Sequence, residues 1–352
     1  MDDERVRDIG EFGLIERLAA VLPATVQAQG VRIGIGDDAA VWRPAAGEDV
    51  VVTTDSLVEG IHFRRDWTDW GSLGHKMLAV NVSDLAAMGA DPKLAVVTLG
   101  LRGDELVRDL EELYRGLGEL ALRHGMMVVG GDIVKSPQGL VFHVTALGQT
   151  RQQRVLTRSE AKPGDLIGVT GTIGASAAGL RLLALDDDDP RRTATTADLL
   201  IAAHLRPEPR VALGAVLLEH GATSAMDLSD GLAGDLPKIL AASGVSAWID
   251  AGRLPVAAAV RALFPEDWLE LALRGGEDYE LLFTAPPDAW ETIARAISAA
   301  GGTVAAIGEV VPREREEGAL VIVDLDGDKH PISPGAFDHF GGKGPTADSA
   351  QE

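Results

Sequence analysis

Apolar residues recur along this chain with two periods, one near 3.6 and one near 2. Phe12, Leu14, Ile15, Leu18 and Val21 fall at near-helical spacing and Pro23 ends the run, which predicts an N-terminal helix. Val50-Val51-Val52-Thr53-Thr54-Asp55 is a β-branched run that reads as a buried strand. The pattern then gives helix over 76–88, strand over 94–101, a long helix over 105–124, and strand over 126–129, followed by Gly130-Gly131-Asp132 and a further strand over 140–148. Beyond residue 151 the alternation resumes: strand 165–170, helix 175–185, strand 222–228, helix 232–243, strand 280–284 and helix 290–300. The stretch 186–196, with four consecutive aspartates and Pro190, reads as a solvated loop.

Strands alternating with helices in both halves predict an α/β or α+β fold. A length of 352 residues exceeds one ordinary core and suggests two domains, 1–150 and 151–340, with 341–352 composed like a disordered tail.

Charge changes the picture. The formal charge of −22 argues against a nucleic-acid partner. Only seven lysines occur, so any phosphate the protein binds must be neutralised by something other than Lys. The absence of cysteine excludes disulfides, thiolate metal sites and cysteine nucleophiles. No stretch reaches the roughly 18 apolar residues of a membrane span. The acidic start Met1-Asp2-Asp3-Glu4-Arg5 lacks the form of a signal peptide, which makes a cytoplasmic location the expectation.

Against that background one pattern repeats, an apolar run that ends in aspartate beside glycine, serine or threonine. It occurs at Asp37-Asp38, Thr53-Thr54-Asp55, Asn81-Val82-Ser83-Asp84, Gly130-Gly131-Asp132 and Asp227-Leu228-Ser229-Asp230-Gly231. Hard divalent cations such as Mg²⁺ take carboxylate, water and phosphate oxygens, and carboxylates at strand ends converge on one edge of a sheet. Each aspartate could equally cap a helix or close an Asx-turn. Asp84 stands apart, because its neighbours Leu78, Ala79, Val80, Val82, Leu85, Ala86 and Met88 are apolar and an unpaired charge among them is costly. There is no Walker A sequence and no protein-kinase catalytic loop. Gly171-Thr172-Ile173-Gly174 reads as a tight turn rather than a phosphate cradle, while Trp67 and Trp70 read as core or oligomer contacts.

Further motifs extend this set: Gly10-Glu11-Phe12-Gly13-Leu14-Ile15, Ile35-Gly36-Asp37-Asp38, Leu156-Thr157-Arg158-Ser159, His204-Leu205-Arg206-Pro207, Gly275-Gly276-Glu277-Asp278-Tyr279-Glu280 and Phe337-Asp338-His339-Phe340. In order and spacing the whole set, from about residue 9 to 340, resembles the thiamine-monophosphate kinase family, within the superfamily of aminoimidazole ribonucleotide synthetase and selenophosphate synthetase. The resemblance implies a two-domain fold, an N-terminal mixed sheet that dimerises, a C-terminal α/β domain, and ATP bound with several Mg²⁺. Carried over by position, it implies metal ligands at Asp38, Thr53, Thr54, Asp55, Asp84, Asp132, Asp227 and Asp230. It likewise implies ATP contacts at Tyr114, Gly131, Asp132, Arg158 and Ser229, and thiamine monophosphate contacts at His62, Glu277 and Phe337.

A kinase of this type needs no catalytic group beyond metal-bound carboxylates. Its acceptor is a phosphate monoester with a second pKa of about 6, already largely anionic at neutral pH. Direct in-line transfer follows, with Glu277 and Phe337 suited to a cationic thiazolium through charge and ring face. Two alternatives remain open, another ATP-dependent enzyme of the superfamily and a silent nucleotide-binding protein.

Overall fold

A computed structural model describes residues 4–23, 30–35, 39–151, 154–313, 320–332 and 335. The chain divides by its contacts into two compact units, Met1–Leu156 with Leu205–His220, and Thr157–His204 with Gly221–Glu352. Among the described residues no helix is long and apolar enough to cross a membrane.

The first unit opens with α1 (Val6–Val21), which stops where Leu22 turns extended ahead of Pro23. A short antiparallel ribbon, β1 (Val31–Ile33) and β2 (Val41–Trp42), precedes β3 (Glu48–Val58). Helix α2 (Trp70–Ala87), β4 (Asp91–Leu101), α3 (Val107–Arg123), β5 (Met127–Lys135) and β6 (Val141–Arg151) follow. The four long strands form one sheet in the order β3-β6-β4-β5. β4 and β5 are parallel, as a strand–helix–strand crossover through α3 requires, and the other two pairings are antiparallel.

Both helices pack on one face of this sheet. Leu57, Val97, Leu99, Phe142, Val144 and Ala146 meet Leu73, Met77, Leu78 and Leu85 of α2 and Leu110, Leu113 and Leu117 of α3. Helix α3 is amphipathic, whereas α2 is buried all round: after Trp70, every residue but Asp84 is buried. A helix that is apolar on all sides needs neighbours on all sides. Glycines bring α3 close enough, since a Cβ on Gly74 would lie 1.8 Å from Leu113 O and one on Gly116 would lie 1.9 Å from Gly71 O.

β3 is not the buried strand its β-branched run suggests. It lies at the sheet edge, and Val50 and Val52 keep 42% and 60% of their surface in solvent. The ribbon β1–β2 covers only the part of that second face around Leu94 and Val129. A β-branched run reads alike whether one face or both are covered, so the sequence pattern could not separate the two cases.

In the second unit β7 (Leu166–Thr170) leads into α4 (Ala175–Ala184) and α5 (Ala197–Leu205). Helix α6 (Val211–His220) belongs to the first unit, where it packs on α2. Then come β8 (Ser224–Asp227), α7 (Leu232–Ser243), β9 (Ser246–Asp250), α8 (Ala258–Leu263), α9 (Trp268–Arg274) and β10 (Leu281–Ala285). Helix α10 (Pro287–Ala299), β11 (Val304–Val311), β12 (Leu320–Val323) and β13 (Lys329–Pro331) complete it. The seven strands order as β13-β12-β9-β11-β7-β10-β8, antiparallel throughout except β9 with β12. Ile167, Val169, Met226, Leu282 and Ile307 of the sheet pack with Leu236, Ile239 and Leu240 of α7. A separate apolar cluster joins α4, α5, α8 and α9 through Leu182, Leu200, Val260, Phe264 and Leu271. The 186–196 stretch is irregular, with Asp186, Asp187 and Asp188 exposed. The tail beyond residue 341 lies outside the described residues.

Gly116→Ala forces α2 and α3 apart and should cost about 1–3 kcal/mol of unfolding free energy. A urea titration followed by circular dichroism measures it, and an unchanged midpoint would show that the helices do not depend on this backbone contact.

Candidate active site

Alternation along β3 sorts its residues between two faces. Val51, Thr53, Asp55 and Leu57 share the face that carries the helices, with Val51 and Leu57 joining the core there. Asp84, at the one open place on α2, meets them: Thr53 Oγ1 donates to Asp84 Oδ2 at 2.5 Å. Asp55 is pushed up to about 7 by burial, then by the charge of Asp84, then by a hydrogen bond shared with Asp84. Two carboxylates that share a hydrogen bond favour a proton between them, and a cation can take its place. The donor set is hard oxygen throughout, carboxylate and hydroxyl, and so fits a divalent cation such as Mg²⁺.

Thr54 does not join this group through its side chain. It lies on the opposite face of the sheet, with its Oγ1 2.9 Å from His143 Nε2 and 3.0 Å from Thr145 Oγ1. His62 sits in the turn after β3, where its Nδ1 accepts from Val58 N–H at 3.1 Å. Asp37 and Asp38 lie outside the described residues. Among the described residues no three His, Asp or Glu side chains gather closely enough to hold a metal by themselves.

Strand β5 places the next residues. It continues through Gly130-Gly131-Asp132 to Lys135, pairing Asp132 with Thr98, so Asp132 lies within a strand and not at its end. Asp55 likewise lies mid-strand, opposite Val144. Tyr114, Gly131 and Asp132 line a cavity of about 440 Å³ together with Val97, Val128, and Phe12 and Ile15 of α1. Burial drives the Tyr114 phenol far above its ordinary range, so it stays a neutral donor. Gly131 fits because β4 runs against it: a Cβ there would stand 2.1 Å from Val97 O. An apolar cavity with a few polar groups along one wall has the form of small-molecule sites in general.

In the second unit Asp227 is buried at the end of β8 and pairs with Leu281. Of Asp55, Asp132 and Asp227, only Asp227 stands where the strand-end expectation places it. Ser229 and Asp230 follow in a turn whose N–H groups both donate to Asp235 Oδ2, at 3.0 and 2.9 Å. Lys238 Nζ donates to Asp230 Oδ2 at 2.6 Å and to Asp235 Oδ1 at 2.8 Å. Asp230 thus has a counter-charge from its own chain. Arg158 is exposed, with its backbone carbonyl accepting from Ser243 Oγ.

Glu277 lies beside this turn, its N–H donating to Ser229 O at 2.8 Å and its φ at 67°. Asp278 accepts from the N–H groups of Gly174 (2.6 Å) and Ser176 (3.0 Å) at the start of α4. A carboxylate of the chain itself therefore occupies the anion position at this helix N-terminus, which leaves Gly171-Thr172-Ile173-Gly174 as a turn. Burial pushes Asp278 up to about 7 despite these donors. Phe337 lies outside the described residues. Sequence reasoning missed Asp235 and Lys238, and named His204 within a motif without giving it a role. The first two were visible as an Asp/Lys pair three apart on the helix after Asp-Leu-Ser-Asp-Gly, and His204 as a polar residue among apolar ones in α5.

The models of the AIR synthase related protein N-terminal and C-terminal domains match residues 36–150 and 162–321. The chain is 37% identical over 330 residues to the thiamine-monophosphate kinase of Bacillus subtilis, covering 94% of this chain and 99% of that relative. With the thiamine-monophosphate kinase of Escherichia coli K12 it shares 44% over 279 residues, 79% and 83% of the two chains. The crystal structure of thiamine-monophosphate kinase from Stenotrophomonas maltophilia matches with a TM-score of 0.79 at 38% identity, over 91% of this chain and 98% of that one. AaThiL complexed with AMPPCP and TMP matches at 0.74 and 31% identity, over 96% and 99%. Two domain models in tandem and kinases matched over nearly their whole length agree: the chain belongs to the thiamine-monophosphate kinase family.

Proposed function

We propose that the protein transfers the γ-phosphoryl group of ATP to thiamine monophosphate, giving thiamine diphosphate and ADP, with Mg²⁺ as the metal. Kinase relatives matched over nearly their whole length support the reaction. The observation that carries the metal requirement is the Asp55–Asp84 pair, two carboxylates and a threonine hydroxyl brought together where β3 meets α2. In the first unit Asp55, Asp84 and Thr53 would hold Mg²⁺ from the helix-bearing face of the sheet, Asp132 would do so from the other face, which it shares with Thr98 and His143, and in the second unit Asp227 and Asp230 would do so. When bound, Mg²⁺ supplies charge neutralisation and bridging of phosphate oxygens.

The chain's own residues bind and orient. The cavity lined by Tyr114, Gly131 and Asp132 takes the nucleotide, with Phe12 and Ile15 offering apolar surface to the base. By position in the sequence, Arg158 and Ser229 would be further nucleotide contacts. By position in the sequence, His62, Glu277 and Phe337 would be the acceptor contacts, and the Glu277 carboxylate would match the cationic thiazolium. The acceptor phosphate, with a second pKa of about 6, needs no base to take its proton. An acceptor oxygen forms the new P–O bond while the bond from the γ-phosphorus to the bridging oxygen breaks, and ADP leaves with that electron pair. The protein acts in this reading as a homodimer in the cytoplasm. The surface that supports pairing is the open face of β3, where Val50 and Val52 flank Thr54 and Ser56. A monomer would leave these valines in water.

Incubation with Mg-ATP and thiamine monophosphate should yield thiamine diphosphate and ADP in equal amounts on chromatography. ADP without thiamine diphosphate would refute the substrate. Asp55→Asn should lower kcat about a hundredfold or more at saturating Mg²⁺, and near-normal turnover would refute the metal role. Val52→Asp should convert a dimer to a monomer in sedimentation velocity, and a retained dimer would place the interface elsewhere.

Protons provide another test. An Asp55 pKa of about 7 when folded lies above the ordinary carboxylate value of about 3.9. The folded protein then holds more protons than the unfolded chain, so metal-free stability should fall as pH rises from about 4 to 7. Mg²⁺ displaces the shared proton, so calorimetry at pH 6.5 in buffers of different ionisation enthalpy should record proton release that Asp55→Asn abolishes. Asp278, raised in the same sense, keeps its own share of the stability slope in that variant.

A further inference from the structure

The loop that carries Glu277 needs a support, because its backbone is in the left-handed region at two non-glycine positions, Glu277 (φ 67°) and Tyr279 (φ 50°). L-residues adopt that region only where the surroundings hold them there. Asp278 clamps one side of the loop to the N–H groups of Gly174 and Ser176. The other side has a support that the reaction scheme does not use. His204 Nδ1 lies 3.3 Å from Glu277 Oε2 and 3.1 Å from Ser176 Oγ.

His204 is the polar member of the buried stripe Ala197, Leu200, His204 on α5. An imidazole within an apolar stripe is costly unless its nitrogens have partners. The position of α5 is fixed by α4, since a Cβ on Gly179 would lie 2.0 Å from Leu200 O. That close approach brings His204, about one turn beyond Leu200, to Ser176, about one turn before Gly179. The exposures are unequal: the His204 side chain keeps 7% of its surface and that of Glu277 26%. The imidazole therefore lies behind a carboxylate that still opens to solvent. An ionised carboxylate has no proton to donate, so His204 Nδ1 carries the hydrogen wherever it holds Glu277.

We infer that His204 is a positioning residue for the acceptor substrate. It fixes the Glu277 carboxylate against α4 and α5, so that the carboxylate presents a fixed negative charge to a ligand with a delocalised cationic ring. The inference rests on the reading of Glu277 as a substrate contact. A carboxylate on a freely rotating side chain would have to be ordered on binding, and this support removes that cost beforehand. Its effect falls on capture of the cationic acceptor and leaves the nucleotide's binding unaltered.

The test compares KM for thiamine monophosphate with KM for ATP in His204→Leu, His204→Asn, Glu277→Gln and the His204→Leu/Glu277→Gln pair. His204→Leu should raise the KM for thiamine monophosphate about tenfold and leave that for ATP within about twofold. His204→Asn should recover most of the loss, because its Nδ2 donor lies near the place of the imidazole Nδ1. The double variant should be no worse than Glu277→Gln alone, since both changes remove one interaction. If His204→Leu does not fold, Ser176→Ala serves in its place and should raise the same KM by about two- to threefold. Equal rises in both KM values, or additive effects in the double variant, would overturn the positioning role. If Glu277→Gln raises the KM for thiamine monophosphate and His204→Leu does not, the positioning role alone fails. If Glu277→Gln leaves that KM unchanged, the assignment of Glu277 to the substrate fails and the inference with it.

Discussion

Helix α2 is enclosed on every side but one, and the open side carries a carboxylate that meets a second carboxylate. The enclosure comes from ordinary packing, with the sheet on one side and α3 brought in at backbone distance by glycines. Within it the backbones that carry Asp84 and Asp55 are fixed, one in a helix and the other in the middle of a strand. Their repulsion is therefore a property of the fold. A proton relieves it in part and a divalent cation relieves it further, which makes the pair a receptor for positive charge.

The second unit treats its carboxylates differently. Asp235 receives two backbone N–H groups and the Lys238 ammonium, and Asp278 receives the N-terminus of α4. These acids are structural: they hold the Ser229–Asp230 turn and the Glu277 loop in place. The residues proposed to meet a ligand sit next to them in the chain. Asp230 shares Lys238 with Asp235, so a cation arriving there competes with an ammonium already in position. One chain thus has two kinds of acidic position, one where two carboxylates crowd each other and one where a carboxylate is supplied with a counter-charge.

Much of this is legible in the sequence. The long strands and helices of the first unit follow from their hydrophobic periods, and Asp84 stands out as a charge in an apolar helix. Other features are not legible. The run 50–55 looks the same for an edge strand open on one side as for a buried one. Helices α5 and α6 are short and apolar around much of their circumference, so they show little period to read. The return of α6 to the first unit depends on a close approach of Gly214 to the backbone at Ala86, and nothing local records that. Asp55 and Asp132 occur in motifs that look like strand ends, yet ladder pairing carries both strands past them. Thr54, next to Thr53 in sequence, is on the opposite face for the simplest reason, the alternation of a strand. Motif spacing identifies which residues are grouped in the chain, and only the sheet determines which side chains share a face.

The contrast between the two units bears on how ligand binding is distributed. Preorganised repulsion raises affinity for a cation, because the metal-free state is already high in free energy and binding relieves it. That argument requires rigid elements, and Asp55 and Asp84 are on them. Turn residues such as Ser229, Asp230 and Glu277 can relax, so repulsion among them would simply move the loops. They are held instead by attractive contacts around Asp235, Asp278 and His204. Rigid elements can store an unfavourable charge pair for use, whereas loops have to be supported into place. The chain follows that division, with the crowded carboxylates on strand and helix and the supported ones in turns.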